Sequence, residues 1–193
     1  MNIGISHPVC APYKEVNGEP QYEDGWIMGA LVSVSLTPET FDEAFHADNT
    51  EYFRDKGTTG GTISEELTGM SNEKYAQLLG HKYVAPSDDE PAHVVVNKDD
   101  AAIDVGHGYI VTMVDKEDGK RTTEYMIVWL HKAMLSEPDD SSGTTKTTNI
   151  EYKPVTFEGS YAPDSKGDAY TKYYFDDYNE AVTYLNKLAN ITE

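Results

Sequence analysis

The sequence predicts a mainly β fold carrying two short helices. Three observations carry that expectation. The run Tyr125-Met126-Ile127-Val128-Trp129-Leu130 is aromatic and β-branched, lacks proline and glycine, and is apolar on both faces. From Val32 onward, Val32, Val34 and Leu36 alternate with Ser33, Ser35 and Thr37, the period of a half-buried strand. Asn17-Gly18 and Asp118-Gly119 are two-residue hairpin signals. A strand apolar on both sides needs two covers, one from its own core and one from a helix of the chain or from another subunit.

Taken in order, residues 3–16 read as an opening strand in which Pro8 and Pro12 suit an edge or a terminal arm. The strand from Trp26 is expected to stop at Thr37-Pro38-Glu39. Residues 38–58 then read as an extended hairpin loop or arm. Phe41, Phe45, Tyr52 and Phe53 stand there beside Asp42, Glu43, Asp48, Glu51 and Asp55, and Ala47-Asp48-Asn49-Thr50 supplies a turn. The stretch is too polar for a core and too aromatic for a solvated linker. It either folds back on its own domain or docks on a neighbour.

Gly57-Thr58-Thr59-Gly60-Gly61 reads as a mobile joint before a strand from Thr62 to Thr68. Ser71 caps a short helix with Tyr75, Leu78 and Leu79 on one face and Gly80 at its end. From Val84 to Asp104 only Val94-Val95-Val96 reads as a strand. Tyr109–Val114 follows, then the doubly apolar strand through Leu135. Asp139-Asp140-Ser141-Ser142-Gly143 is a loop by composition, and a strand from Lys146 to Tyr161 alternates around Ile150, Tyr152, Val155 and Phe157. Residues 176–190 form a C-terminal helix with Asp177 as N-cap, Glu180 at N3, and an apolar stripe of Ala181, Val182, Leu185, Leu188 and Ala189. That helix is the candidate cover. No internal repeat appears, so residues 1–193 are expected to form a single domain.

The charge narrows the function. Against 34 acidic residues stand 15 basic ones, a net −19, which disfavours binding duplex DNA by phosphate neutralisation or adhering to an anionic membrane. Such a surface either keeps a protein soluble or lets it lie close to a polyanion without sticking. No run reaches the ~18 apolar residues of a membrane span, and no signal peptide is visible at the start. Cys10 is the single cysteine, which excludes an intrachain disulfide, and nothing here points to secretion.

The search for chemistry returns no centre. His7 and Cys10 have H-x-x-C spacing without the second pair a structural zinc site requires. Gly106-His107-Gly108 has the look of a flexible catalytic histidine, yet no nucleophile elbow and no H-E-x-x-H accompanies it. His46, His81, His93 and His131 each stand alone. Asp88-Asp89-Glu90 suits solvent better than calcium, and Asp115-Lys116-Glu117-Asp118-Gly119 lacks the alternating carboxylates of a calcium loop. The expectation is no catalytic residue, no metal and no cofactor.

A set of segments in order carries a resemblance. Val32-Ser33-Val34-Ser35-Leu36-Thr37-Pro38-Glu39-Thr40 precedes the arm with Ala47-Asp48-Asn49 and Tyr52. Gly60-Gly61-Thr62-Ile63 leads to the helix with Leu78-Leu79-Gly80. Tyr125 through Lys132 runs into Leu135-Ser136-Glu137-Pro138. Ile150-Glu151-Tyr152, Pro154-Val155-Thr156-Phe157-Glu158-Gly159 and the Phe175-Asp176 helix start close the series. From Ile3 to Leu185, apart from Val84–His107, the chain resembles the major tail proteins (tail tube proteins) of siphophages infecting Gram-positive bacteria.

The resemblance implies a β-sandwich or barrel with a flanking α-helix and a long inter-subunit hairpin loop. It implies a homo-hexamer stacked into a hollow tube in the virion, assembled in the host cytoplasm, with double-stranded DNA passing through. Tape measure, tail terminator and distal tail proteins are the further partners it implies. On this reading Phe41, Phe45, Tyr52 and Phe53 make inter-ring contacts. Ser33, Ser35, Thr62, Ser64 and Glu66 face the lumen, with part of Arg121–Glu124 contributing. The rival readings are a carbohydrate-binding β-sandwich, suggested by the tyrosines and by Trp26 and Trp129, and a hydrolase using an acid pair.

Overall fold

The computed structural model describes residues 1–117, 120–139 and 153–192. In chain order the elements are β1 (Asn2–Val16), β2 (Glu19–Tyr22), β3 (Trp26–Ile27), β4 (Leu31–Ala47), β5 (Thr50–Leu67), α1 (Asn72–Leu79), β6 (Lys82–Val84), β7 (His93–Val95), β8 (Val105–Glu117), β9 (Lys120–Leu135), β10 (Val155–Ala162), β11 (Tyr170–Phe175) and α2 (Tyr178–Leu188). Among the described residues the fold is mainly β, with one large antiparallel sheet and two helices. The expected turn at Asp118-Gly119, the loop beyond Asp139, and the Ile150 and Tyr152 half of the strand before Tyr161 lie outside the described residues.

β9 is the hub. One of its edges pairs with β8 throughout. The other pairs with β11 over Tyr125–Leu130 and with β10 over Lys132–Leu135, and the path continues through β5 to β4. At the changeover, Val105 and His107 of β8 sit opposite Ala133 and Leu130 of β9, so β9 carries an extra residue. This bulge shifts the inward phase, so that Leu130, Ala133 and Leu135 all enter one core.

The doubly apolar run finds both covers within the chain. Met126, Val128 and Leu130 join one core with Ile63, Leu67, Phe157 and Tyr161. Ile127 and Trp129 join a second with Val9, Ala11, Ile110 and the α2 residues Ala181, Leu185 and Ala189. α2 is set by the Asp177 carboxylate, which accepts the amides of Asn179 and Glu180 at 2.8 and 3.1 Å. α1 is capped by Ser71 and ends at Gly80 in the left-handed region, as its sequence predicts.

Several boundaries differ from expectation. Thr37-Pro38-Glu39 does not end a strand: β4 runs through it, with Pro38 opposite Gly61. β4 is the outer strand of its sheet, where a missing N–H costs no ladder bond. Trp26-Ile27 is a separate short strand against β1, divided from β4 by Met28-Gly29-Ala30. Residues 57–61 are ladder rather than joint. Their glycines serve close approach: a Cβ on Gly60 would lie 2.2 Å from the Tyr161 carbonyl oxygen, and one on Gly57 would meet the Phe41 ring at 2.5 Å. The opening segment is a sheet strand, paired with β8 from Asn2 to Pro12 and with β2 from Tyr13 to Val16.

Gly106-His107-Gly108 lies inside β8, not in a flexible loop. A Cβ on Gly106 would meet Trp129 at 2.5 Å, and one on Gly108 would meet the same indole at 2.7 Å. The two glycines let Trp129 lie across the strand while His107 points into the opposite core.

Candidate functional site

The β4–β5 hairpin turns at Asp48-Asn49, both with positive φ (51° and 61°), the conformation that matches the right-handed twist of paired strands. Its ladder continues without a loop from Ala47↔Thr50 back to Leu31↔Leu67. Glu39 pairs with Gly60 and Thr40 with Thr58, leaving Thr59 as a bulge between the part of the hairpin that joins the body and the part beyond it. From Thr40 to Lys56 every side chain except Ala47 is exposed. The arm therefore does not fold back on its own domain among the described residues. At ~3.3 Å per residue its paired length beyond the bulge is roughly 25 Å.

Register sorts the arm into two faces. Asp42↔Lys56 and Ala44↔Arg54 share one. There the Arg54 guanidinium grips Asp42 through two bonds of 2.6 and 2.8 Å, and Lys56 reaches the same carboxylate at 2.9 Å. Arg54 first and Lys56 second hold the Asp42 carboxyl below its ordinary value. On the other face lie Phe41 over Gly57, Glu43 opposite Asp55, and Phe45 opposite Phe53. Phe45 and Phe53 are 63% and 59% exposed, and Tyr52, at a bulge, is 79% exposed.

Nearer the body, the residues expected to face a lumen come together. Ser33 pairs with Glu66, Ser35 with Ser64 and Thr37 with Thr62. On the far side of β5, Thr156, Glu158 and Ser160 of β10 stand opposite Glu66, Ser64 and Thr62. Directly opposed residues share a face, so these nine side chains form a three-strand surface of hydroxyls and carboxylates. No lysine or arginine is among the nine. Ser33 donates to Glu66 at 2.8 Å. Arg121–Glu124 is not part of this surface; it sits on the β8–β9 ladder, before β9 meets β10.

Beneath that surface Cys10 and His107, each raised separately by the sequence, come together with Glu65, which the sequence did not raise. Glu65 and His107 are both fully buried, with Oε2 and Nε2 3.1 Å apart but off the line of a hydrogen bond. Cys10 stands opposite His107 across β1 and β8, and burial first, then the Glu65 charge, raises its thiol well above the usual range. Burial and then Glu65 push Tyr109 up to about 12. The Trp26 indole N–H and the Tyr161 hydroxyl are buried without a hydrogen-bond partner among the described residues. Cys10, His107 and Glu65 have the residue types of a nucleophilic triad, and all three are fully buried. The signal was present in the sequence. The alternation that turns Thr62, Ser64 and Glu66 outward turns Glu65 inward between Ile63 and Leu67.

Histidines solitary in sequence have partners in space. His81 meets Asp100 at 2.9 Å, His131 bridges Asp164 and Thr171 at 3.0 and 2.8 Å, and His7 meets Asn186 at 2.7 Å. Among the described residues no three His, Cys, Asp or Glu side chains are grouped to hold a metal. No helix among them is long and apolar enough to cross a membrane. Trp26 and Trp129 are buried, so neither offers a sugar a platform. No protein-family model matches the chain, and a search of curated proteins gives no match.

Proposed function

We propose that the chain is a structural subunit of a siphophage-type tail tube, built as stacked hexameric rings around a bore through which double-stranded DNA leaves the particle. The observation that carries this reading is the pairing of two surfaces on one continuous hairpin. Its outer part is an arm whose aromatics stand exposed among the described residues, and its inner part joins a broad polar face free of lysine and arginine. Aromatic anchors on a projecting element suit insertion into a neighbour. A face of hydroxyls and carboxylates offers DNA phosphates no counter-charge, so a duplex slides past it. On this reading the subunit performs no chemistry, needs no cofactor, belongs to the virion, and meets tape measure, terminator and distal tail proteins at the tube ends.

Negative-stain microscopy of the purified protein tests it. Rings or tubes are expected. Deletion of residues 42–55 should give a folded subunit that forms no tubes. Uniform monomers from the full chain at high concentration would overturn the tube reading, and full-length tubes from the deletion would remove the arm from it.

A further inference from the structure

The arm's aromatic face carries an electrostatic defect. Glu43 and Asp55 face each other directly across the ladder, and like charges in that position destabilise a sheet. Neither makes an ion pair among the described residues, whereas Asp42, Glu51, Arg54 and Lys56 of the same arm are all paired. Phe41, Phe45 and Phe53 frame the two acids.

The opposite defect occurs on the β8–β9 ladder. Lys116 and Arg121 face each other directly, and neither makes an ion pair among the described residues. In a chain with 15 basic residues against 34 acidic ones, two opposed cations without an ion pair among the described residues are conspicuous. They line an open groove of about 520 Å³ whose other walls are Met1, Ile3, Val114 and Asp115. Met1 and Ile3 are 84% and 49% exposed. The Asp115 carboxylate accepts the Lys116 amide at 2.7 Å.

We infer that the groove of Met1, Ile3, Val114, Lys116 and Arg121 is the receptor for the Phe41/Glu43/Phe45/Phe53/Asp55 face of the arm of a second copy of this chain. This rests on the tube reading and names the acceptor within it. Apolar walls meet phenylalanine rings, and two opposed cations meet two opposed carboxylates. One contact thus relieves both repulsions, which persist in the separate subunit. The two surfaces differ, so the contact is heterologous. Each copy that docks its arm still presents a groove, and the contact propagates instead of closing on a pair.

Charge exchange tests this. Glu43→Lys with Asp55→Lys, and separately Lys116→Glu with Arg121→Glu, should each lower the polymerised fraction by about tenfold or more, and the four changes together should restore it. All four sites are exposed, and circular dichroism confirms that each variant is folded. A covalent trap gives an independent readout. Phe45→Cys subunits mixed with Ile3→Cys subunits should form disulfide-linked dimers on oxidation, with the native Cys10 buried and out of reach. Normal tubes from Lys116→Glu/Arg121→Glu, or no cross-link within tubes that do form, would overturn the acceptor. The arm's role would survive that result if deletion of 42–55 still blocked assembly. Tubes from the deletion would overturn the arm's role and the acceptor together.

Discussion

Glu65 and His107 show what a single buried pair does in this fold. The Glu65 carboxyl and the His107 imidazole, neither of them exposed, lie 3.1 Å apart in a core lined mostly by apolar side chains, so each is a close polar neighbour the other would lose. Removing one partner strands the other. His107→Leu is expected to cost about 3–5 kcal/mol in urea unfolding, while His107→Leu with Glu65→Leu should recover most of it. If the double variant were as unstable as the sum of the two single ones, the pair would not be acting as a unit. At this scale the sequence was only half legible. Period-2 reading placed Ser33, Ser35, Thr62, Ser64 and Glu66 on one surface, because alternation needs only neighbours in the chain. It could not show that Gly106 and Gly108 clear room for Trp129, since that requires knowing which strand crosses them.

Elements were legible where a cap or tight turn marks them, as at Ser71, Gly80, Asp177 and Asp48-Asn49. They were misread where an edge or bulge tolerates a breaker, as at Pro38 and Gly60. β11 went unnoticed because Tyr170–Phe175 is short and its pairing with β9 is remote in sequence. The loop before β11 also makes a prediction about acid. Burial works to raise the Asp164 carboxyl, but the amides of Asp168 and Lys166, with His131, outweigh it and hold the group below its ordinary value near 3.8. Asp100 is lowered likewise by the Asn97 amide and then by His81. A carboxyl lowered in the folded state contributes stability above its unfolded value, and that contribution disappears as pH falls through the folded value. Acid should therefore loosen these two loops below about pH 3.8, seen as faster amide exchange at Lys166 and Asp168. Asp164→Asn should abolish that acid step and lower neutral-pH stability by about 1.5–3 kcal/mol. An unchanged acid step would mean that another group controls the loop.

For the whole molecule, the sequence announced a strand needing two covers, and α2 supplies the second. Among the described residues the arm stays exposed, and on the proposed tube reading its cover is a second copy. On that reading, at net −19, assembly would set short-range contacts against long-range repulsion between bodies of the same sign. The two respond differently to salt. Repulsion acts over the Debye length, ~30 Å in 0.01 M salt and ~8 Å at 0.15 M, whereas a carboxylate seated against a guanidinium is within a few Å and partly shielded from solvent. Added salt over this range should weaken the repulsion more than the contact. Polymerisation followed by light scattering should therefore accelerate as salt rises from 0.01 M to 0.15 M, most steeply at the low end. A rate falling steadily across that range would mean that attraction between oppositely charged patches dominates encounter, and the acidic body would have no part in restraining assembly.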